Sequence, residues 1–401
     1  MVSCAREETS GQPPTVTDST PVRQLAGKRE MPQRPYQWVR RDTLLFEYLG
    51  SVELISYNEQ TGTYLSRDWP QKKINEFDKT GKLLHSWDFT GAGPTQVGPE
   101  LYSMAYTPQG DIVVQGQKGY YFYDGQGNFI RKIDFSDKVL PSAISLVGNI
   151  FFYERQQQAR IASQIISNTS EYDATMKGFY EHATFLLEMN LQGDDYLYAI
   201  PYPANSLYRN ESHYPLGSRD ARISLDKKGQ AYAIFPFDPK LYVYDVYDGY
   251  ALKGYIDTRP EHFDQPPVWL PYNQLPESQQ SNKSYFTASS YFKVYSFQDS
   301  LIGLVYSQGL PEHYVTAQFK MSDYNDSLYV YNQYYFQLFS GPDKLCPDLA
   351  LPEGTSIVAY IHSLDEILLT ARLSQLEEEP EGALFYLYSL QPVEEEMAKG
   401  R

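Results

Sequence analysis

The chain has 401 residues, of which 42% are hydrophobic and 15% aromatic. Its net charge of −16 predicts that it has no nucleic-acid partner, because an acidic surface repels phosphate groups. The two cysteines, Cys4 and Cys346, lie too far apart in the sequence for a disulfide framework. The sequence contains no run of about 18 apolar residues, so it predicts no transmembrane helix. The 37 tyrosines suit half-buried strand positions and favour β structure, with a sugar-stacking surface as the alternative.

Residues 1–35 are predicted to form a flexible tether, because they contain almost no large apolar residue to bury. Val2-Ser3-Cys4 resembles the end of a bacterial lipobox and predicts lipidation of Cys4, with an ordinary exposed thiol as the alternative. The hydrophobic region that should precede a lipobox is missing, as expected for a start codon assigned too late or a chain trimmed near the cleavage site. Ala5-Arg6-Glu7-Glu8 is similar to a signal that sends some Bacteroidetes lipoproteins to the cell surface. We therefore expect an outer-membrane lipoprotein whose lipid is its only membrane contact, with surface exposure left open.

A repeated unit dominates the next part of the chain. Residues 74–90 align without gaps on residues 120–136, at an offset of 46 residues. Each copy consists of an aromatic strand, an Asp-x-x-Gly turn that begins at Asp78 or Asp124, and a second strand. A period of about 40–50 residues built from short strands is typical of a β-propeller blade. The two aspartates are therefore predicted to lie in hairpin turns.

Strand patterns bounded by turns predict six blades, at roughly 42–90, 100–136, 142–200, 220–258, 287–340 and 355–391. In the third blade, Ala143–Leu146 and Asn149–Tyr153 are predicted strands, followed by a polar interruption from Arg155 to about Glu181. In the fifth blade, Leu328–Tyr331 and Tyr335–Phe339 are predicted as the last two strands.

The predicted fold class is all-β: a six-bladed β-propeller of four-stranded antiparallel blades over residues 36–395, preceded by a disordered tether and followed by an acidic tail at 396–401. A segment near Tyr36–Glu47 is expected to complete the last blade, so that the closed ring leaves no free sheet edge. A seven-bladed ring and a pair of β-sandwiches remain alternatives.

Four stretches carry a resemblance to a known family: Val2-Ser3-Cys4, Gly93–Pro99, Arg222-Ile223-Ser224 and Tyr242–Asp245. Over about residues 40–395 the chain resembles the uncharacterised Bacteroidetes lipoproteins of domain-of-unknown-function family 4221. The resemblance implies a six-bladed, TolB-like propeller at the cell envelope. That family has no established catalytic residues, so the resemblance leaves activity open.

No pattern in the sequence predicts a catalytic residue, a metal site or a cofactor. Gly91–Pro99 lacks the Lys-Ser/Thr of a phosphate-binding loop and is interpreted as the crossing between two blades. The six histidines have no metal-ligand spacing, although a propeller axis can gather residues from distant blades. Asp323–Ser327 lacks the Gly and Glu of a calcium loop and is interpreted as a turn.

Two long connections, about 193–219 and 259–286, are predicted to lie on one face of the ring, where outer strands lead to inner strands of the next blade. Long loops on a rigid scaffold often carry function. The residues predicted to bind a ligand are Tyr202, Tyr208, Arg209, His213, Arg219, Trp269 and Tyr272. The alternative is that Pro266, Pro267 and Pro271 only brace a surface loop.

The sequence therefore predicts a lipid-anchored, monomeric propeller of the cell envelope that serves as a non-catalytic binding or scaffold protein for a protein or glycan partner. The alternative is an envelope glycan hydrolase or lyase with its site at the propeller axis. Carboxylates that converge with a His or Arg in an axial cleft would favour the enzyme.

Overall fold

The structure, a computed structural model, describes residues 22–27, 34–135, 149–165, 172–298, 300–315, 332–372, 375–376 and 378–393. The predicted lipidation site at Cys4, the predicted strands at 143–146 and 328–331, and the tail at 396–401 lie outside these residues. The described residues form a six-bladed β-propeller of antiparallel four-stranded blades, which confirms the predicted fold class. None of the helices in the described ranges is long and apolar enough to cross a membrane.

In chain order the described elements are β1 (Tyr36–Phe46), β2 (Glu53–Asn58), β3 (Thr63–Asp68), β4 (Lys73–Asp78), β5 (Leu83–Trp87), β6 (Met104–Tyr106), β7 (Ile112–Gly116), β8 (Gly119–Tyr123), β9 (Phe129–Asp134), β10 (Ile150–Arg155), β11 (Gln158–Gln164), α1 (Lys177–His182), β12 (Thr184–Asn190), β13 (Tyr196–Pro201), β14 (His213–Pro215), β15 (Arg222–Leu225), β16 (Gln230–Ile234), β17 (Lys240–Asp245), β18 (Ala251–Asp257), β19 (Trp269–Pro271), α2 (Ser278–Thr287), β20 (Ser290–Phe297), β21 (Leu301–Ser307), β22 (Tyr334–Ser340), β23 (Asp343–Lys344), β24 (Leu349–Ala350), β25 (Thr355–Ser363), β26 (Glu366–Ala371) and β27 (Ala383–Pro392).

Blades one to four are β2–β5, β6–β9, β10–β13 and β15–β18, each in the order inner to outer strand. Blade five is β20–β23, with β24 also pairing with β22. Blade six takes β25, β26 and β27 from the end of the chain and β1 from its beginning. β1 pairs with β27 from Tyr36 opposite Pro392 to Phe46 opposite Ala383, which confirms the predicted closing strand.

The six inner strands contact one another in a ring. Direct contacts join β2 to β6, β6 to β10, β15 to β20, β20 to β25 and β25 to β2. The remaining neighbours, blades three and four, are linked by the Asn149 side chain, which donates to the Ile223 carbonyl at 3.3 Å. The first and fourth blades are therefore on opposite sides of the axis.

The hydrophobic core is divided among the interfaces between neighbouring blades. Within the described residues, a separate cluster of buried side chains lies between each pair of neighbours. In β8, Tyr121 and Tyr123 face blade one while Tyr120 and Phe122 face blade three, because alternate side chains of a strand point to opposite faces. These tyrosines are sheet-packing residues. Cys346 is likewise buried between blades five and six.

The repeated aspartates lie in the hairpin turns between third and outer strands, as predicted. The Asp124 carboxylate accepts hydrogen bonds from the backbone N–H groups of Gln126 and Asn128 at 2.9 and 2.8 Å. The turn glycine, Gly127, has φ +82°, a left-handed conformation that suits glycine. The hydrogen bonds from the side chain and backbone of Asn128 lower the pKa of Asp124.

Two strand predictions were wrong in detail. Residues 158–164, interpreted as part of a polar interruption, form β11, the second strand of blade three. Tyr335–Phe339, predicted as the outer strand of blade five, belongs to the third strand, β22, and the short strands β23 and β24 occupy the outer position.

Part of the predicted tether contacts the ring. The backbone N–H of Leu25 donates to the Tyr255 carbonyl at 2.8 Å, and the Tyr255 N–H donates to the Arg23 carbonyl at 3.1 Å. Residues 22–27 therefore lie along the outer strand of blade four, β18.

Candidate functional site

The two long connections lie on the same face of the ring and are joined to each other. β14, from the connection after blade three, pairs with β19, from the connection after blade four, with His213 opposite Pro271 and Pro215 opposite Trp269. The backbone N–H of Leu216 extends the pairing by donating to the Val268 carbonyl at 2.8 Å. We call β14 and β19 the ribbon. Backbone hydrogen bonds thus hold two excursions from the ring as one unit.

Two of the predicted ligand residues lie in the core beneath the ribbon. Tyr202 and Tyr208 are 0% exposed, and their rings stack at 5.0 Å between centroids. The Tyr202 hydroxyl donates to the Arg219 carbonyl at 2.8 Å, and the Tyr208 hydroxyl donates to the Ser218 carbonyl at 2.9 Å. In this arrangement both side chains pack the connections against the fourth blade.

Arg219 borders the same aromatic layer. Its Nε is buried with no hydrogen-bond partner among the described residues. Burial raises the pKa of Tyr180, and the charge of Arg219 opposes that rise. This guanidinium therefore lies close to the phenol of Tyr180.

The other four predicted residues are at the surface of the same unit. Arg209, His213, Trp269 and Tyr272 are all partly accessible to solvent. The Tyr272 hydroxyl donates to the Asn210 carbonyl at 2.9 Å, and burial of its ring raises the pKa of Tyr272 to about 12. The structure thus brings the seven predicted residues into one region, three in or beside the aromatic layer and four above it, while ligand binding by them stays a prediction.

Exposed apolar side chains also occur on these connections and beside α1. Among them, Leu275 has the largest exposed fraction, at 76%. Others on the two connections and beside α1 are Met176, Leu207, Val268 and Tyr285. The Asn273 N–H donates to the Thr175 carbonyl at 2.9 Å, which joins the segment before α1 to the ribbon unit. We call Met176, Leu207, Val268, Leu275 and Tyr285 the apolar rim.

Sequence reasoning missed a second group of polar side chains, at the axis: Glu53, Arg67, Arg222 and Lys293, which we call the axial cluster. Arg67 is 1% exposed, and its Nη2 lies 2.7 Å from Glu53 Oε2. A charged residue within an otherwise apolar inner strand, as in Phe292-Lys293-Val294, is the sequence signal that could have revealed this group. Within the described ranges, no three His, Cys, Asp or Glu side chains are placed to hold a metal ion.

Comparison with known proteins identifies the fold. No family model and no curated protein matches the chain. The chain is similar to the crystal structure of a duf4221 family member from Bacteroides vulgatus, with a TM-score of 0.67 and 11% identity over 90% of this chain and 100% of that one.

Two other Bacteroides proteins are more weakly similar. One, of unknown function from Bacteroides caccae, has a TM-score of 0.40 and 7% identity over 75% of this chain and 81% of that one. The second, described as a candidate exported protein from Bacteroides fragilis, has a TM-score of 0.43 and 13% identity over 89% and 95%. At these identities the similarities show the fold alone.

Proposed function

We propose that this propeller is an envelope protein, lipid-anchored through Cys4, that binds a partner without catalysis through the apolar rim and the ribbon. The observation that carries the proposal is the gathering of the five exposed rim side chains on one joined unit. Contiguous exposed apolar side chains with a polar surround mark interaction surfaces. Membership of the DUF4221 lipoprotein family is part of the proposal and is supported by the shared fold.

The rim is suited to binding because it rests on a rigid base. The stacked tyrosines beneath it are fully buried, and the ribbon fixes the connection backbones, so little conformational entropy is lost on association. The aliphatic members, Leu207, Val268 and Leu275, favour a protein partner over a glycan, which would be expected to stack on aromatic rings.

The test compares two exposed apolar residues on different parts of the ring. Leu275→Asp places a charge in the rim, whereas Ile130→Asp, in the outer strand of blade two, is the matched control at 47% exposure. Cross-linked complexes from the envelope fraction should lose one defined partner in the Leu275 variant alone. A partner retained by the Leu275 variant, or lost equally in both, would contradict the proposal.

The anchor is tested separately. Cys4→Ala should move the protein from the membrane fraction to the aqueous fraction and abolish incorporation of labelled palmitate, because the thiol is the proposed acceptor. Membrane association that survives this substitution would refute anchoring through Cys4 while leaving the binding proposal intact.

A second candidate function is a glycan hydrolase or lyase at the axis. Asp220 favours it: burial raises the pKa of this carboxyl, while Arg222 and Arg219 oppose the rise. Carboxyls with raised pKa are typical of general acids. Release of reducing ends from an acidic glycan, lost in Asp220→Asn, would support this candidate, and no release by the wild-type protein would remove it.

A further inference from the structure

The six inner strands surround the axis of the ring, and we call the space that they enclose the passage. The accessible positions of these strands include Ser56, Ser296 and Tyr360, and the Ser296 N–H donates to the Ser224 hydroxyl of the neighbouring inner strand at 3.0 Å. At the end opposite the ribbon, Lys227 Nζ of blade four lies 3.4 Å from Glu59 Oε1 of blade one. Because these blades face each other across the axis, this ion pair spans the passage.

The axial cluster lies toward the other end of the passage. Glu53 and Arg222 each begin an inner strand, on the face where the ribbon lies. Lys293, from the inner strand of blade five, interacts electrostatically with Glu53 and Arg67 of blade one and with Arg222 of blade four. Since blades one and four are opposite, Lys293 can interact with both only if its side chain lies near the axis.

The charges of this cluster are incompletely balanced. Glu53 is engaged by Arg67, which also donates to the Tyr102 carbonyl at 2.5 Å. Among the described residues, no carboxylate oxygen lies within 4.0 Å of the charged nitrogens of Lys293 or Arg222. Asp220 interacts electrostatically with Arg222, but burial raises the pKa of this carboxyl and so disfavours its charged form. Lys293 Nζ donates to the Val358 carbonyl at 3.4 Å and Arg222 Nη2 to the Ser218 hydroxyl at 3.2 Å.

This imbalance has an energetic cost that an anion would remove. Burial lowers the pKa of Lys293; Glu53 opposes this effect, while Arg222 and Arg67 add to it. A partly buried ammonium without a carboxylate contact is unfavourable, because less water remains to solvate it. The excess is local, since the whole chain carries a net charge of −16.

We propose that the axial cluster is a binding site for a small anionic ligand, whose carboxylate or phosphate group contacts the Arg222 guanidinium and the Lys293 ammonium. A guanidinium can bind such a group through two parallel hydrogen bonds, and an ammonium adds a mobile point charge. Lys293 and Arg222 are both partly accessible, as a ligand entering the passage requires. The site is separate from the apolar rim and does not depend on the proposed partner.

The test measures thermal unfolding and calorimetric binding with inorganic phosphate and with D-glucuronate, at constant ionic strength set with sodium chloride. D-glucose is the neutral control. A ligand at one hundred times its dissociation constant should raise Tm by about 3–4 °C for a domain of this size. The two anions distinguish a phosphate ligand from a carboxylate ligand.

Lys293→Met and Arg222→Gln should each remove the anion-dependent rise, whereas Lys79→Met, at an exposed turn lysine, should retain it. If a variant does not fold, acetylation of Lys293 in the wild-type protein, followed by mass spectrometry, gives an independent measurement: a bound anion should slow it. Leu275→Asp should retain anion binding, which keeps this test apart from the one above. A Tm that depends only on ionic strength, or an anion effect that survives Lys293→Met, would overturn the proposal.

Discussion

Replacing Tyr208 with alanine separates a packing role from a ligand-binding role. The side chain is fully buried between the rings of Tyr202 and Phe237, at centroid distances of 5.0 and 6.1 Å. Its hydroxyl donates to the Ser218 carbonyl and accepts from the Phe237 N–H at 3.2 Å. Truncating a buried aromatic ring costs about 3–5 kcal/mol, and the two backbone groups lose their partners as well.

With an unfolding entropy of about 2.1 cal/mol/K per residue over roughly 360 folded residues, that loss lowers Tm by about 4–7 °C. Calorimetry or circular dichroism measures the shift. Trp269→Ala is the matched comparison, because that ring is only partly buried and its loss should lower Tm by much less. A Tyr208→Ala protein that unfolds within about 1 °C of the wild type would refute the packing assignment.

Two further predictions concern the ring closure and the turn aspartates. Removing residues 1–47 deletes β1 and exposes the edge of β27, so the shortened protein should lose its cooperative unfolding transition and aggregate, as measured by light scattering. Removing residues 1–21 should cause neither effect. A folded monomer after the longer deletion would contradict the role of β1 in closing the ring. Asp124→Ala should lower the urea midpoint at pH 7. Because the folded pKa lies below the unfolded value of about 3.9, this deficit should shrink as pH falls below about 4, and a deficit independent of pH would exclude the ionised carboxylate as its source.

The sequence predicted the ring because its signals are local. The Asp-x-x-Gly turns and alternating aromatic strands are determined by neighbouring residues, and the structure confirms them. β11 was missed for a local reason too. The hairpin before it uses Gln156 and Gln157, with φ of 52° and 61°, where glycine or asparagine would normally mark such a turn. The polar Arg160 of β11 is buried because its Nη1 pairs with Glu188 Oε1 of the next strand, β12, at 3.4 Å.

The candidate site was predictable only in part. The ribbon unit was found because its length interrupts the repeat, but the sequence could not separate the buried Tyr202 from the accessible Tyr272. Burial there depends on pairing between two connections that are distant in the chain. The axial cluster has no characteristic spacing in the sequence, because Glu53, Arg222 and Lys293 lie on three different blades and come within electrostatic range only in the folded ring.

The pairing of Tyr36 with Pro392 also imposes an order on biosynthesis. β1 precedes blades one to five in the chain, and its partner β27 follows them. Until β27 has been synthesised, the blades therefore form an open array with a free edge at each end. Such edges can pair with other chains, so this interval is when the protein is most exposed to misassembly. Ring formation becomes a post-translational step, in which the earliest strand is captured by the latest.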